Sequence, residues 1–244
     1  SVIQNVIPWT NLTKPISQSK IALVTTGGFY TSEQIAFQTD GPEKLGDWSY
    51  RPIDISIPTN TLNVSHIHYD TSGPKQDVNC VFPLDTFKEL EKDGIIGSLA
   101  NTHYSFMGYI QKPDLLSETT AKEVAEKLKK DSIDAVVLTS TWPVCNRSGG
   151  LIARAIESLG IPTVIIMMYK EMADVVKPPR TVHVKFPFGR PMGEPNNTAQ
   201  QKVIAQDALN VLSTCKTPGS IIELPYRWRR ENYESIAKDK MYSL

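Results

Sequence analysis

Three groups of side chains in this sequence are able to do chemistry: Cys145 with its neighbours Asn146 and Arg147, the alternating set His66, His68 and Asp70, and His103. Cys145 lies in residues 136–150, VVLTSTWPVCNRSGG, where an apolar, β-branched run breaks into a polar loop and then resumes at helical spacing. A cysteine attacks as thiolate, and free backbone N–H groups, the positive end of a helix and the Arg147 guanidinium all favour that form. With Asn146 or Ser148 as N-cap, Cys145 is expected just before the helix, as a candidate nucleophile. The alternative is an inert, buried cysteine, the commoner fate of a lone thiol.

His66, His68 and Asp70 occupy alternate positions, so a strand running through them projects all three from one face. Such an array, with His103 as a further ligand, suits a transition metal. It equally suits a substrate carboxylate and proton transfer, because imidazole titrates near neutral pH. An ordinary polar strand end, each ring satisfied by backbone, is the third reading. His183, in a valine-rich segment, and Cys215, late in a helix, read as structural, and Cys80 reads as buried.

The elements that must position these groups alternate along the chain. Strand patterns occupy residues 20–26, 62–67, 95–99, 134–138, 163–168 and 182–184, and helical stripes include Leu84/Phe87/Leu90, Ala121/Val124/Leu128, Leu151/Ala155/Leu159 and Val203/Ile204/Val211. Residues 29–60 and 103–109 read as loops. Alternation of this kind predicts an α/β fold, a doubly wound, mostly parallel sheet in a three-layer sandwich. Ligands of such sheets bind beyond the carboxyl ends of the strands, where the Cys145 loop falls. One domain is expected over residues 1–244, with an extended arm at 1–19, anchored by Ile7 and Trp9, and a charged extension at 229–244. That extension is expected either as a helix on a neighbouring subunit or as a solvated tail.

Twenty-six basic and 26 acidic residues leave no net field to recruit nucleic acid or an anionic membrane, and the balance is compatible with a small neutral or zwitterionic substrate. No apolar run is long enough to span a bilayer, and no secretory signal pattern opens the chain, so a cytoplasmic protein is expected. Three cysteines, an odd and sparse set, fit a reducing compartment.

The run DAVVLTSTWPVCNRSGGLIARAIESLGIPTV resembles the active-site segment of selenoprotein B of glycine, sarcosine and betaine reductases and of the selenocysteine subunit of D-proline reductase. Further blocks follow in the same order: KIALVTTGG, SHIHYD, DVNCVFPLD, GSLANTHYSFMGYI, RPMGEPNN and IIELPYRW. In that family the loop carries selenocysteine, two residues, then cysteine. Trp142 stands here at the selenocysteine position and Cys145 at the cysteine. The resemblance implies that a selenolate attacks the substrate's α carbon and displaces the amine, that the thiol resolves the adduct, that a partner subunit contributes a pyruvoyl group, and that a thiol protein brings reducing equivalents. A homo-oligomer is also expected. Tryptophan has no nucleophilic atom. Either the UGA codon of selenocysteine stands translated as tryptophan, or this branch has lost the selenol and is a noncatalytic subunit. A metal-dependent enzyme built on His66, His68, Asp70 and His103 is the rival reading.

Overall fold

A computed structural model describes residues 6–40 and 42–241 of the chain. Its elements are β1 (Lys20–Thr25), β2 (Phe29–Tyr30), β3 (Tyr50–Asp54), β4 (Asn63–Val64), α1 (Ser72–Gln76), α2 (Leu84–Lys92), β5 (Ser98–Leu99) and β6 (Thr102–Phe106). There follow α3 (Pro113–Leu115), α4 (Ala121–Lys130), β7 (Ala135–Thr139), α5 (Pro143–Ser158), β8 (Thr163–Met167), α6 (Lys170–Val176), β9 (Arg180–His183), α7 (Thr198–Thr214), β10 (Ser220–Glu223) and α8 (Tyr233–Met241).

The main sheet runs β10-β9-β8-β7-β1-β6-β3, with β5 also beside β1; every pairing is parallel except that of β3 with β6. Strands buried on both faces need apolar residues at successive positions, and β1 and β7 have them. Ile21 and Leu23 of β1 join Ala135 and Val137 of β7 in one core with α2 and α7, while Ala22, Val24, Val136 and Leu138 join the core of α4 and α5. The sheet is therefore the middle of three layers, as the alternation of patterns predicts. From β1 the chain moves outward to β5 and β6, then returns to the other side of β1 as β7. The carboxyl ends of β1 and β7 thus flank a topological switch point, where an open α/β sheet leaves a crevice.

Three local expectations are corrected. Residues 29–60 contain β2 and β3; Pro52 weakens the strand pattern of β3, yet an edge strand tolerates a proline because only one side is paired. The first half of the expected loop 103–109 is β6, whose pattern is hidden by buried His103 and Ser105. The expected strand at 62–67 shrinks to β4, which pairs with β2 in a separate two-stranded sheet. At Ser65 the chain turns away, its N–H bonded to the Gly28 carbonyl and its hydroxyl to that of Phe37. The charged extension forms a helix, α8, and is not a solvated tail: it packs on α7 of its own chain, where Tyr233 is buried and Tyr226 and Lys240 both bond to Asp207.

The described part of the arm runs along the sheet's far end and is anchored at Trp9, whose ring lies 3.7 Å from the Arg180 guanidinium. Residues 1–5 of the expected arm and 242–244 of the expected extension lie outside the described residues. No helix among the described residues is long and apolar enough to cross a membrane.

Candidate active site at the strand ends

Parallel neighbours in register end together, so the loops after β1, β6 and β7 meet at one edge. Backbone bonds tie them: Thr26 N–H to the Thr139 carbonyl (3.0 Å) and Gly28 N–H to the Phe106 carbonyl (2.8 Å). Between the strands the Thr139 hydroxyl donates to that of Thr25 at 2.9 Å.

The helix after β7 starts earlier than expected. Trp142, in extended conformation, is the N-cap of α5 and Pro143 the first helical residue, where its missing N–H costs nothing. Cys145 consequently sits inside the first turn, not before it. Asn146 closes that turn twice, its backbone N–H (2.8 Å) and its side-chain amide (2.7 Å) both donating to the Trp142 carbonyl. Neither Asn146 nor Ser148 caps the helix; the Ser148 hydroxyl donates instead to the Gly108 carbonyl at 2.7 Å.

Cys145 is fully buried, and burial pushes its thiol up to about 12; the Thr141 hydroxyl and the N–H groups of Trp142 and Cys145 oppose this without overcoming it. The expected help from Arg147 does not arrive, because its guanidinium donates to the Ile110 carbonyl. Two further polar groups approach the sulfur. His66 Nε2 lies 3.1 Å away, and the S–H points to the Met107 carbonyl at 3.9 Å. Gly108 closes the far side: with φ +83° it turns as L side chains rarely can, and a Cβ there would stand 2.8 Å from the Cys145 sulfur.

The histidine set divides. His66 packs edge-to-face on Tyr69 (4.7 Å), whose hydroxyl donates to the Gly27 carbonyl at 2.9 Å. Burial, with the neighbouring His68, lowers the His66 pKa to about 3, so the ring is neutral. His68 stacks on Tyr109 at 3.8 Å. Asp70 points elsewhere: it is exposed, accepts from the Ser72 N–H and hydroxyl, and pairs with Arg190 at 3.3 Å, contacts that hold its carboxyl below its ordinary value. His103 belongs to the sheet. Its Nδ1 accepts the Leu23 N–H at 2.9 Å where β5 breaks before β6, so the ring completes a ladder bond that the backbone omits; burial lowers its pKa to about 3. Among the described residues no three His, Cys, Asp or Glu side chains converge on a metal position. The metal array of His66, His68, Asp70 and His103 is corrected accordingly, because the turn at Ser65 destroys the alternation on which it depended.

Trp142 is half-buried, its ring edge-on to Phe188 (5.2 Å), which in turn meets Tyr169 (6.5 Å). The Phe188 loop is pinned by the Gly189 N–H, which donates to the Thr141 carbonyl at 2.9 Å. Ser140 Oγ, Asn146 Oδ1 and His68 Nε2 are buried with no protein partner. Tyr69, Met107, Gly108 and Phe188 are site residues that sequence reasoning did not single out. Tyr69 and Phe188 lie in aromatic or proline-glycine blocks, but nothing in the spacing says which loop they meet.

The family model for glycine/sarcosine/betaine reductase selenoprotein B matches residues 2–141, ending one residue before Trp142. The chain belongs to this selenoprotein B family. It is 37% identical over 220 residues to D-proline reductase subunit gamma of Acetoanaerobium sticklandii, covering 90% of this chain and 89% of the relative. It is 31% identical over 207 residues to the glycine reductase complex component B subunit gamma of Symbiobacterium thermophilum, covering 82% of this chain but 48% of that relative. A betaine reductase complex component B subunit beta of Peptoclostridium acidaminophilum is 28% identical over 197 residues, 78% of this chain and 43% of its own. The chain thus spans nearly the whole of the D-proline reductase subunit and about half of the glycine and betaine reductase subunits. No solved structure matches it.

Proposed function

We propose that this chain is the thiol-bearing subunit of a reductase complex that cleaves a small amino-acid-like substrate, with Cys145 as the resolving thiol and position 142 as the place of the selenol nucleophile. The observation that carries the reading is the meeting of Cys145 and His66 at 3.1 Å in the crevice at the strand ends. Family membership supplies the reaction class. The two-residue spacing also has a physical sense: position 142 is the N-cap and position 145 lies in the first turn. An N-cap side chain faces the free N–H groups of that turn, which favour an anion there.

In this scheme a selenolate at 142 forms a bond to the substrate's α carbon as the C–N bond breaks and the amine leaves. The Cys145 thiolate then attacks selenium, forming a Se–S bond, and the released carbon takes a proton. A dithiol protein returns the two electrons. A pyruvoyl group on a partner subunit would hold the amine. The partnerless Ser140 and Asn146 atoms are polar groups able to meet the rest of a zwitterion. Assembly with partner subunits, a homo-oligomeric arrangement and a reducing cytoplasm complete the proposal.

Trp142 favours one second reading. Its indole has no nucleophilic atom and its ring packs on Phe188, as in a subunit that keeps the fold without the selenol step. The deciding experiment compares the chain bearing Trp142, cysteine or selenocysteine at this position, each with its partner subunit and a dithiol, on glycine, sarcosine, betaine and D-proline. Selenocysteine, and more weakly cysteine, should introduce dithiol-dependent cleavage, and Cys145→Ala should remove it. Turnover by the Trp142 chain that survives Cys145→Ala would overturn the selenol-thiol reading; no turnover with selenocysteine would leave the noncatalytic one.

A further inference from the structure

The bonds around His66 assign a direction to its contact with Cys145. The backbone N–H of His68 donates to His66 Nδ1 at 3.1 Å, so that nitrogen presents a lone pair and carries no proton. In a neutral imidazole the single N–H must then be at Nε2. Nε2 in turn faces the Cys145 sulfur at 3.1 Å, a weak acceptor to which that N–H can donate. The opposite tautomer would set an Nδ1–H against the His68 N–H, replacing that bond with a repulsion.

We infer that His66 acts on Cys145 as a fixed hydrogen-bond donor through Nε2–H, holding the sulfur as the thiol's proton passes to a base from solvent and negative charge develops, and does not itself take that proton. This differs from the usual cysteine–histidine pair, in which imidazole is the base. The residues that enforce it are neighbours in sequence. Ser65 turns the chain by bonding to Gly28, His66 reaches the thiol, and the N–H of His68 returns to the His66 ring while the His68 side chain is held on Tyr109. Tyr69 covers the His66 face. No other cationic or acidic side chain contacts the ring within hydrogen-bond distance among the described residues, so the backbone N–H of His68 decides the tautomer.

The inference rests on the reading of Cys145 as the working thiol, yet its test needs no turnover. Long-range proton–nitrogen correlation on histidine-labelled protein, with His66 assigned by its loss in His66→Gln, should show a protonated Nε2 and a bare Nδ1 near neutral pH. A protonated Nδ1 would overturn the proposal. Thiolate formation at Cys145, read by ultraviolet difference against Cys145→Ala, supplies the second measurement. Loss of the donor in His66→Phe should slow thiol alkylation by iodoacetamide roughly tenfold or more, as expected for a hydrogen bond to a charged group. Glutamine, which keeps an N–H donor but cannot act as a base, should recover most of that loss. Equal losses in the phenylalanine and glutamine variants would show that His66 works as a base. A correct tautomer in a protein that never acquires reductase activity would sink the functional reading and leave this inference standing.

Discussion

Gly108 and Cys145 show how little room surrounds the thiol. A Cβ at position 108 would meet the Cys145 sulfur at 2.8 Å and the Thr26 Cβ at 2.9 Å, on a backbone with φ +83°. Neither contact is with the flexible end of a long side chain, so the clash cannot be relieved cheaply. Gly108→Ala is expected to destabilise the protein by about 1–3 kcal/mol and to disturb the His66–Cys145 contact. Chemical denaturation gives the first effect and alkylation of Cys145 the second. A variant with unchanged stability and unchanged thiol reactivity would mean that the loop accepts a side chain and that the close approach is not a constraint. The thiol itself, pushed up to about 12, should be alkylated slowly at neutral pH, with a rate still rising beyond pH 9. A plateau below pH 8 would contradict burial as the dominant influence on Cys145.

At the scale of elements, the N-terminal arm is held by a buried ion pair rather than by a strand of its own. Arg180 of β9 and Glu157 of α5 meet at 2.8 Å with both side chains almost wholly out of solvent. The arm completes their bonding: the Thr10 N–H donates to Glu157 at 2.7 Å, Arg180 donates to the Thr10 carbonyl at 2.7 Å, and Trp9 lies over the guanidinium. Glu157 also accepts from the N–H and hydroxyl of Thr163, so one carboxylate ties α5, β8 and the arm together. Removing one partner of such a pair leaves a buried charge without compensation. Arg180→Met should therefore cost roughly 3–5 kcal/mol. It should also expose residues 6–14 to limited proteolysis before the rest of the chain is cut. If the variant unfolds at the same denaturant concentration as the parent and its arm stays protected, the arm is anchored by something other than this pair.

For the whole molecule, buried neutral histidines shape the response to acid, His66 and His103 most strongly. His66 and His103 both have pKa values lowered from 6.5 to about 3, burial being the main cause in each. Between those limits the unfolded chain binds protons that the folded chain does not, so stability rises with pH and is lost as pH falls from about 6.5 toward 3. By pH 5 the loss should approach roughly 2 kcal/mol for each ring, less any offsetting change in the acidic groups. Unfolding midpoints in denaturant at pH 7 and pH 5 check this, and His103→Gln and His66→Gln should each flatten part of the slope, with a further part left to His183, whose pKa burial also lowers. A midpoint that does not move between those pH values would show that the rings ionise without unfolding the site.

The order of strands and helices, the central parallel strand before Cys145 and the loop at its carboxyl end were legible in the sequence because each depends on local apolar periodicity and on turn residues. Position 142 and Cys145 could be matched to family blocks for the same reason: the motif is contiguous. The grouping of the histidines was not legible. Alternation at 66, 68 and 70 looked like a strand face, but a bond from Ser65 to Gly28, 37 residues earlier, ends β4 and turns His66 alone toward the thiol. His103 likewise shares a loop-like aromatic segment with Tyr109 in sequence, yet β6 pairing places it within the sheet, while Tyr109 stacks on His68. The acidity of Cys145 was decided the same way. A helix start and a nearby arginine are sequence features that lower a thiol pKa, whereas complete burial and the diversion of Arg147 to a carbonyl exist only once distant loops close over the site, and in this protein those tertiary effects are the larger.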